Sequence, residues 1–388
     1  MKNKLIWYAN RLQSMSNREV LYRIKKHIQG RVEKLATKKN KFPFLEDYEK
    51  VFTAATELPY NTLPQELIEE FRMYNQFHFF SYTIDITQPI HWHKDISTNK
   101  KFPLKFSKNI NIRSDEYGNA KIVWEINRLQ FLLPLAIKCR LTKNEDDLNL
   151  WMDIMKSWVT ANPYLKGVNW YSNIEVNIRL IIWHYCWQIL YGDEKIRKNK
   201  KFIEFTKTIW LPSIYEHCRY SYKNPSKYSS ANNHAIAEYA GLFVASCCWH
   251  FTQSATWKAY AQKGLEKQII KQHSENGINK EEAAEYIQFI TDFLLIALAV
   301  GQQYKIEFST QYKKYLQSIF NYILNLLDIK GNYPKYGDED DGKVLLTSTD
   351  TTFNNFLSIL TSAAIISNNG AFKWRAPIFD IKNWLLWG

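Results

Sequence analysis

The sequence predicts an all-α chain of antiparallel helix hairpins in two layers, an α/α barrel or toroid, behind an irregular N-terminal segment. Three observations carry this. From about residue 121 onward, long helical stretches follow one another with short connections, and helices joined that way fold back as antiparallel hairpins. Many of these stretches are apolar around most of their circumference, as in Ile181 to Leu190 (IIWHYCWQIL). A helix apolar on most sides is packed on most sides, which two layers of helices achieve. Finally, 13 Gly and 11 Pro in 388 residues are too few for a turn-dense β protein. No repeat of fixed length is evident, which disfavours a single-layer solenoid. A hydrophobic share of 46% supplies a sizeable core.

The elements follow in order. The first forty residues read as a basic amphipathic helix packed on the body. Ser16 and Glu19 form a capping box (S-N-R-E), and Val20, Leu21, Ile24 and Ile28 recur at helical spacing among Lys25, Lys26, Arg31 and Lys34. Residues 40–118 read as irregular, with a helix from Gln65 to Gln76, short extended pieces and HWHKD at 91–95. His91 and His93 would place two metal ligands on a strand face, but a third is missing. Helices are then expected over 122–141, 145–161, 173–191, 200–221, 232–251, 254–274, 279–301, 309–328 and 349–367. The expected organisation is a lead-in over 1–120 packed on a helical domain over 121–388.

Charge and composition narrow the function. Lys and Arg total 51 against 38 Asp and Glu, a net +13 that attracts nucleic acid, anionic lipid or acidic polysaccharide. Fourteen Trp and 24 Tyr are many for this length. Most are core, but exposed ones stack on sugar rings or on bases. Lys and Arg are dispersed and no RNA or DNA motif is present, so nucleic acid is not expected as a partner. Five Cys, an odd number without a CxxC pair, argue against a zinc site or a disulfide framework. No P-loop, dinucleotide fingerprint, HExxH or GxSxG occurs, and neither metal nor cofactor is expected. The start lacks an apolar stretch of signal-peptide length, and apolar stretches such as Phe293 to Val300 are too short to span a bilayer. The sequence as written thus reads as soluble and cytoplasmic, without membrane insertion.

Polar islands within the apolar pattern are the candidate sites. In Tyr228 to Glu238 (YSSANNHAIAE), Ser230 would cap an apolar helix whose first turn holds Asn232, Asn233 and His234. Free backbone N–H groups there favour an anionic ligand. The other reading is plain capping, with His234 and Glu238 a buried pair at i and i+4. In Asn276 to Phe289 (NGINKEEAAEYIQF), a turn leads into a helix with three early acidic residues, and Tyr286 follows. Gly337 to Gly342 (GDEDDG) is a four-carboxylate turn without the spacing of an EF-hand, read as a solvated turn. Two further islands are Trp124-Glu125-Ile126-Asn127-Arg128 and Val168-Asn169-Trp170-Tyr171-Ser172-Asn173, the second leading to Glu175 and Arg179.

These islands, in this order, resemble the N-terminal domain of the heparinase II/III and alginate lyase superfamily. WYANRLQSMSNREVLYRIKKHI looks like its leading helix, and HWHKD, WEINRLQFLLPLA, GVNWYSNIEVNIRLIIW, RYSYKNPSKYSSANNHAIAEYAGLF, NGINKEEAAEYIQF and YPKYGDEDDG look like its later blocks. The resemblance implies an incomplete (α/α) toroid, followed in full-length members by an antiparallel β-sandwich. It also implies an acidic, uronate-containing polysaccharide as partner and β-elimination as the reaction. The C5 proton is abstracted, the 4-O-glycosidic bond breaks and an unsaturated sugar end results. Such chemistry needs the substrate carboxylate neutralised, a base at C5 and an acid at the leaving oxygen.

By the same resemblance, Asn233 is the carboxylate neutraliser with His234 beside it, and Tyr286 is the catalytic tyrosine. Trp124, Arg128, Asn169, Trp170 and Glu238 line the groove or support it. The chain departs from the pattern E-Q-S-x-x-Y-H-x-Y, reading E-E-A-A-E-Y-I-Q-F, so Ile287 and Phe289 replace a His and a Tyr. It ends at about the place where the toroid does, so the β-sandwich, which usually supplies another catalytic His, is expected to be absent. Two functions follow: the toroid portion of a polysaccharide lyase, or a non-catalytic module that binds or processes polysaccharide in surface-glycan biosynthesis.

Overall fold

The computed structural model describes residues 15–36, 51, 64–228, 231–338 and 342–388. Helix α1 (Asn17–Ala36) leads. Its capping box is half formed. The Glu19 N–H donates to Ser16 Oγ (3.3 Å), while the Glu19 carboxylate pairs with Arg23. The helix expected from Gln65 to Gln76 shrinks to Gln65–Ile68 and a 3-10 turn Glu69–Phe71. Gln76 instead opens a hairpin of β1 (Gln76–Phe79) and β2 (Tyr82–Asp85), antiparallel with Gln76 opposite Asp85. Phe77 and Phe79 point inward, and Phe77 meets Phe131 at 5.3 Å.

The helical body then begins. α2 (Ala120–Asn127) and α3 (Leu132–Thr142) replace the single helix expected over 122–141. The rod breaks at Leu129, whose φ of +60° lies in the left-handed region. Gln130 is thereby turned so that its amide donates to the carbonyls of Lys343 and Val344. α4 (Glu145–Ala161) and α5 (Asn173–Tyr191) agree with their expected spans. Lys200–Phe205 runs through a π turn at Thr206–Trp210 into α6 (Leu211–Lys223). α7 (Asn233–Cys248), α8 (Ser254–Gln272), α9 (Ala284–Gln303), α10 (Thr310–Leu326), α11 (Asn355–Ser367), α12 (Gly370–Arg375) and α13 (Ile381–Trp387) complete the chain.

Alternate helices form an inner row: α3 packs on α5, α5 on α7, α7 on α9 and α9 on α11. Their partners α4, α6, α8 and α10 lie outside as the second arms of the hairpins. Burial follows this division. All 19 residues of α5 are buried, whereas α8 and α10 bury one stripe each. This is the pattern an all-round apolar helix demands, and the architecture is an incomplete (α/α) toroid. The row curls back on itself, because Gln130 reaches Lys343 and Val344 and Thr349 donates to Glu70.

Two expectations are corrected by α9. It starts at Ala284 rather than 279, since Glu282 takes φ +50° and Ala284 donates to the Tyr336 carbonyl. At 20 residues it is also longer than the apolar stretch read from sequence and would cross a bilayer by length and composition, yet 89% of its most apolar window is buried in the protein. All five cysteines are buried and free.

Candidate functional site

A cleft of about 930 Å³ lies between α1, the loop after the hairpin, the 3-10 turn Val168–Trp170 and the N-terminus of α7. Its wall carries Arg23, Lys26, Lys108, Arg113 and Lys227 against one carboxylate, Glu19. Aromatic rings alternate with these cations. Trp124 and Tyr171 stack with centroids 6.3 Å apart at 28°, and Tyr22 meets Tyr228 at 5.5 Å. Lys227 lies over the Tyr22 ring at 5.4 Å. A basic surface with flat, partly exposed rings can hold the anionic groups of a polymer and the apolar faces of its sugars.

The local sequence explains how the wall is held. Trp124 donates its indole N–H to the Val168 carbonyl (3.0 Å), which fixes the ring beside Tyr171. Asn169 is fully buried and donates to Asn127 Oδ1 and Asn162 Oδ1, both at 2.8 Å. Trp170 is buried too, donating to the Asn162 carbonyl (3.0 Å) and packing on His217 at 4.6 Å. The block Val168 to Asn173 thus buries Asn169 and Trp170 as anchors and leaves Tyr171, Ser172 and Asn173 on the cleft. Arg128 is buried between Glu125 (2.6 Å) and Glu175 (2.8 Å), a charge held by two carboxylates behind the wall. Lys108 reaches across to Asn224 Oδ1 (2.6 Å).

At the head of α7, Ser230 lies outside the described residues and the N-cap is Asn232, which makes no side-chain cap bond. Gln272 secures the approach by donating to the Asn232 carbonyl (2.9 Å). The backbone N–H of Asn233 is already taken, donating to the Glu281 carboxylate at 2.6 Å. Of the three acidic residues expected to open α9, Glu281 thus serves the N-terminus of α7, where positive backbone charge attracts it. Asn233 is buried, and its Oδ1 has no hydrogen-bond partner among the described residues. His234 is half-buried and lines the cleft. Glu238 is buried just behind the lining, its oxygens accepting from the N–H (2.7 Å) and Oγ (2.6 Å) of the cleft residue Ser226. Tyr286 is half-buried in the first turn of α9, which packs on α7.

The structure therefore gathers Trp124 and His234 on one cleft and places Arg128, Asn169, Trp170 and Glu238 behind its wall. Asn233 and Tyr286 belong to the adjoining α7–α9 junction. Tyr171 belongs to an island marked in the sequence, whereas the residues that sequence reading passed over are Lys108, Arg113, Lys227 and Tyr22. HWHKD is a turn rather than a strand: His91 is exposed, while His93 is buried against the Ala161 carbonyl (2.8 Å). Glu339, Asp340 and Asp341 of GDEDDG lie outside the described residues.

Burial tunes the charges around the cleft. Desolvation, aided by Lys108 and opposed by Glu33 and Glu238, lowers the Lys26 ammonium to about 8. Desolvation raises the Glu238 carboxyl to about 7 against its bonds from Ser226.

The sequence profile of the family described as Heparinase II/III N-terminus matches residues 21–366. Among solved structures, the chain is similar to heparan sulfate lyase HepC from Pedobacter heparinus, with TM-score 0.54 and 18% identity over 89% of this chain and 49% of that one. It is also similar to heparinase III, the BT4657 gene product with methylated lysines, with TM-score 0.54 and 16% identity over 92% of this chain and 54% of that one. At such identities the likeness concerns the fold. The chain spans about half the length of these solved structures. No curated protein sequence matches it significantly.

Proposed function

The chain belongs to the heparinase II/III N-terminal family, and from that premise we propose that it is the toroid portion of a polysaccharide lyase whose cleft binds an acidic, uronate-containing polymer. The observation that carries this reading is the cleft wall itself, with five cations to one carboxylate around the stacked Trp124–Tyr171 pair. Trp124 and Tyr171 take the sugar faces, and Lys108, Arg113 and Lys227 take the anionic groups.

In β-elimination Asn233 and His234 are assigned to the uronate carboxylate. Their amide and imidazole N–H donors suit an anion whose charge grows as the C5 proton leaves. Tyr286 is assigned both proton transfers, as base taking the C5 proton and as acid returning it to the leaving oxygen. Arg128, Asn169, Trp170 and Glu238 support the wall through the bonds described above.

The test is binding followed by turnover. The protein is titrated with a panel of uronate polymers, and ultraviolet absorbance of the unsaturated product is followed. Trp124→Ala is expected to weaken binding roughly tenfold, the order of one lost stacking contact, and Tyr286→Phe to remove product formation. Folded protein that binds none of the polymers overturns the reading.

A second reading, a non-catalytic polysaccharide module, is supported by one observation. Ile287 and Phe289, which stand where the resembled pattern has His and Tyr, are both buried in the core. Tight binding without any unsaturated product distinguishes it.

A further inference from the structure

Helix α1 sits on the body by its polar side. The Tyr22 hydroxyl donates to the Pro225 carbonyl (2.6 Å), Gln29 donates to the Lys223 carbonyl (3.1 Å) and Glu33 pairs with Lys108 (3.7 Å). Positions 22, 26, 29 and 33 are three or four apart and share one face. Leu21, Ile24, Ile28 and Val32 repeat at the same spacing on another face, and they are 66%, 52%, 57% and 59% exposed. An ordinary surface helix does the reverse, burying its apolar stripe and wetting its polar one.

The charges sort by face as well. At about 100° per residue, Arg18 and Lys25 fall on one flank of the stripe and Arg31 on the other, all three exposed. The two acidic residues of the helix, Glu19 and Glu33, fall on the body side and are half-buried. What α1 turns outward is an apolar stripe bordered by cations alone.

We propose that α1 is an interfacial helix by which the protein adsorbs to an anionic lipid surface. Leu21, Ile24, Ile28 and Val32 enter the boundary between headgroups and acyl chains, and Arg18, Lys25 and Arg31 extend to the anionic headgroups. The charge pattern selects this occupant. A lipid surface presents an apolar layer edged by negative charge along the whole length of a helix, which is the complement of this face. The helix lies flat and does not span, because its opposite side is bonded to the body. The proposal does not rest on what the cleft binds.

The test is co-sedimentation of the full chain with two kinds of vesicle, phosphatidylcholine alone and phosphatidylcholine mixed equally with phosphatidylglycerol. Binding to the anionic vesicles is expected, decreasing with salt. The double substitution Ile24→Ser/Ile28→Ser is expected to weaken it at least roughly tenfold without lowering the melting temperature, since both side chains already face solvent. The triple substitution Arg18→Gln/Lys25→Gln/Arg31→Gln is expected to remove the preference for anionic over neutral vesicles. Three results overturn the proposal: no binding of the unaltered protein to anionic vesicles, binding undiminished by the double substitution, or a dimer that the double substitution converts to monomer, which would make the stripe a self-association surface.

Discussion

At the scale of single residues, the wall of the cleft depends on charges that water does not reach. Arg128 pairs with Glu125 and Glu175 together in the interior. Arg128→Met would strand two buried carboxylates, and urea unfolding is expected to show a loss of about 3–5 kcal/mol. Glu238 gives a pH-dependent prediction. Its carboxyl is raised from 4.5 to about 7 in the fold, so the native state holds its proton more tightly than the unfolded chain. Stability from this group is full below about 4.5 and is lost as the pH rises through about 7. Glu238→Gln stays neutral throughout and is expected to gain on the unaltered protein, by on the order of 1–3 kcal/mol, across that window. Melting curves at pH 4.5, 6 and 8 check the sign. Lys26 acts on binding instead. Its ammonium titrates near 8, so affinity for an acidic polymer is expected to fall between pH 7 and 9. Lys26→Gln should flatten that fall.

At the scale of elements, close helix approach sets the toroid's spacing. At Gly241 of α7, a Cβ would come within 2.5 Å of Asn177 Cβ and 2.6 Å of its carbonyl oxygen on α5. Gly241→Ala must push two inner helices apart, and a destabilisation of roughly 1–3 kcal/mol is expected in thermal unfolding. Much of this layer was legible in the sequence. α4 and α5 carry their own signal, because a capping Asn144 or an unbroken run such as IIWHYCWQIL is local. What could not be read has its cause elsewhere in the chain. The break at Leu129 is tied to carbonyls at 343 and 344, and the late start of α9 to a carbonyl at Tyr336. Glu281 looked like a dipole partner for α9, but it serves the neighbouring α7.

At the scale of the whole molecule, the cleft is a convergence that no spacing rule predicts. Its lining runs from Glu19 to His234, with cations contributed by α1, by the loop at Lys108 and Arg113, and by Lys227. The polar islands marked Trp124 and His234, since one lies within an apolar helix and the other opens one. Lys108 and Arg113 sit in irregular chain among many other basic residues and carry no such mark. Because the attraction is summed over several partly exposed charges, polymer affinity is expected to weaken roughly tenfold or more as the Debye length shrinks from about 30 Å to about 10 Å. A salt series on the unaltered protein checks this, and Lys108→Ala/Arg113→Ala should reduce its slope.

The bonds from Gln130 to Val344 and from Thr349 to Glu70 join residues 214 and 279 positions apart, whereas the hairpins between them pair sequence neighbours. Hairpins are local and cost little chain entropy to close, but these two clasps enclose most of the protein. The order of assembly follows: hairpins form and stack from either direction, and the ring is clasped only after the residues near 344 have arrived. A nascent chain still short of that point can hold a nearly finished row of helices while the first and last of them stand apart. In such a protein the clasp closes only after the residues near 344 and 349 have been made, long after those that line the cleft.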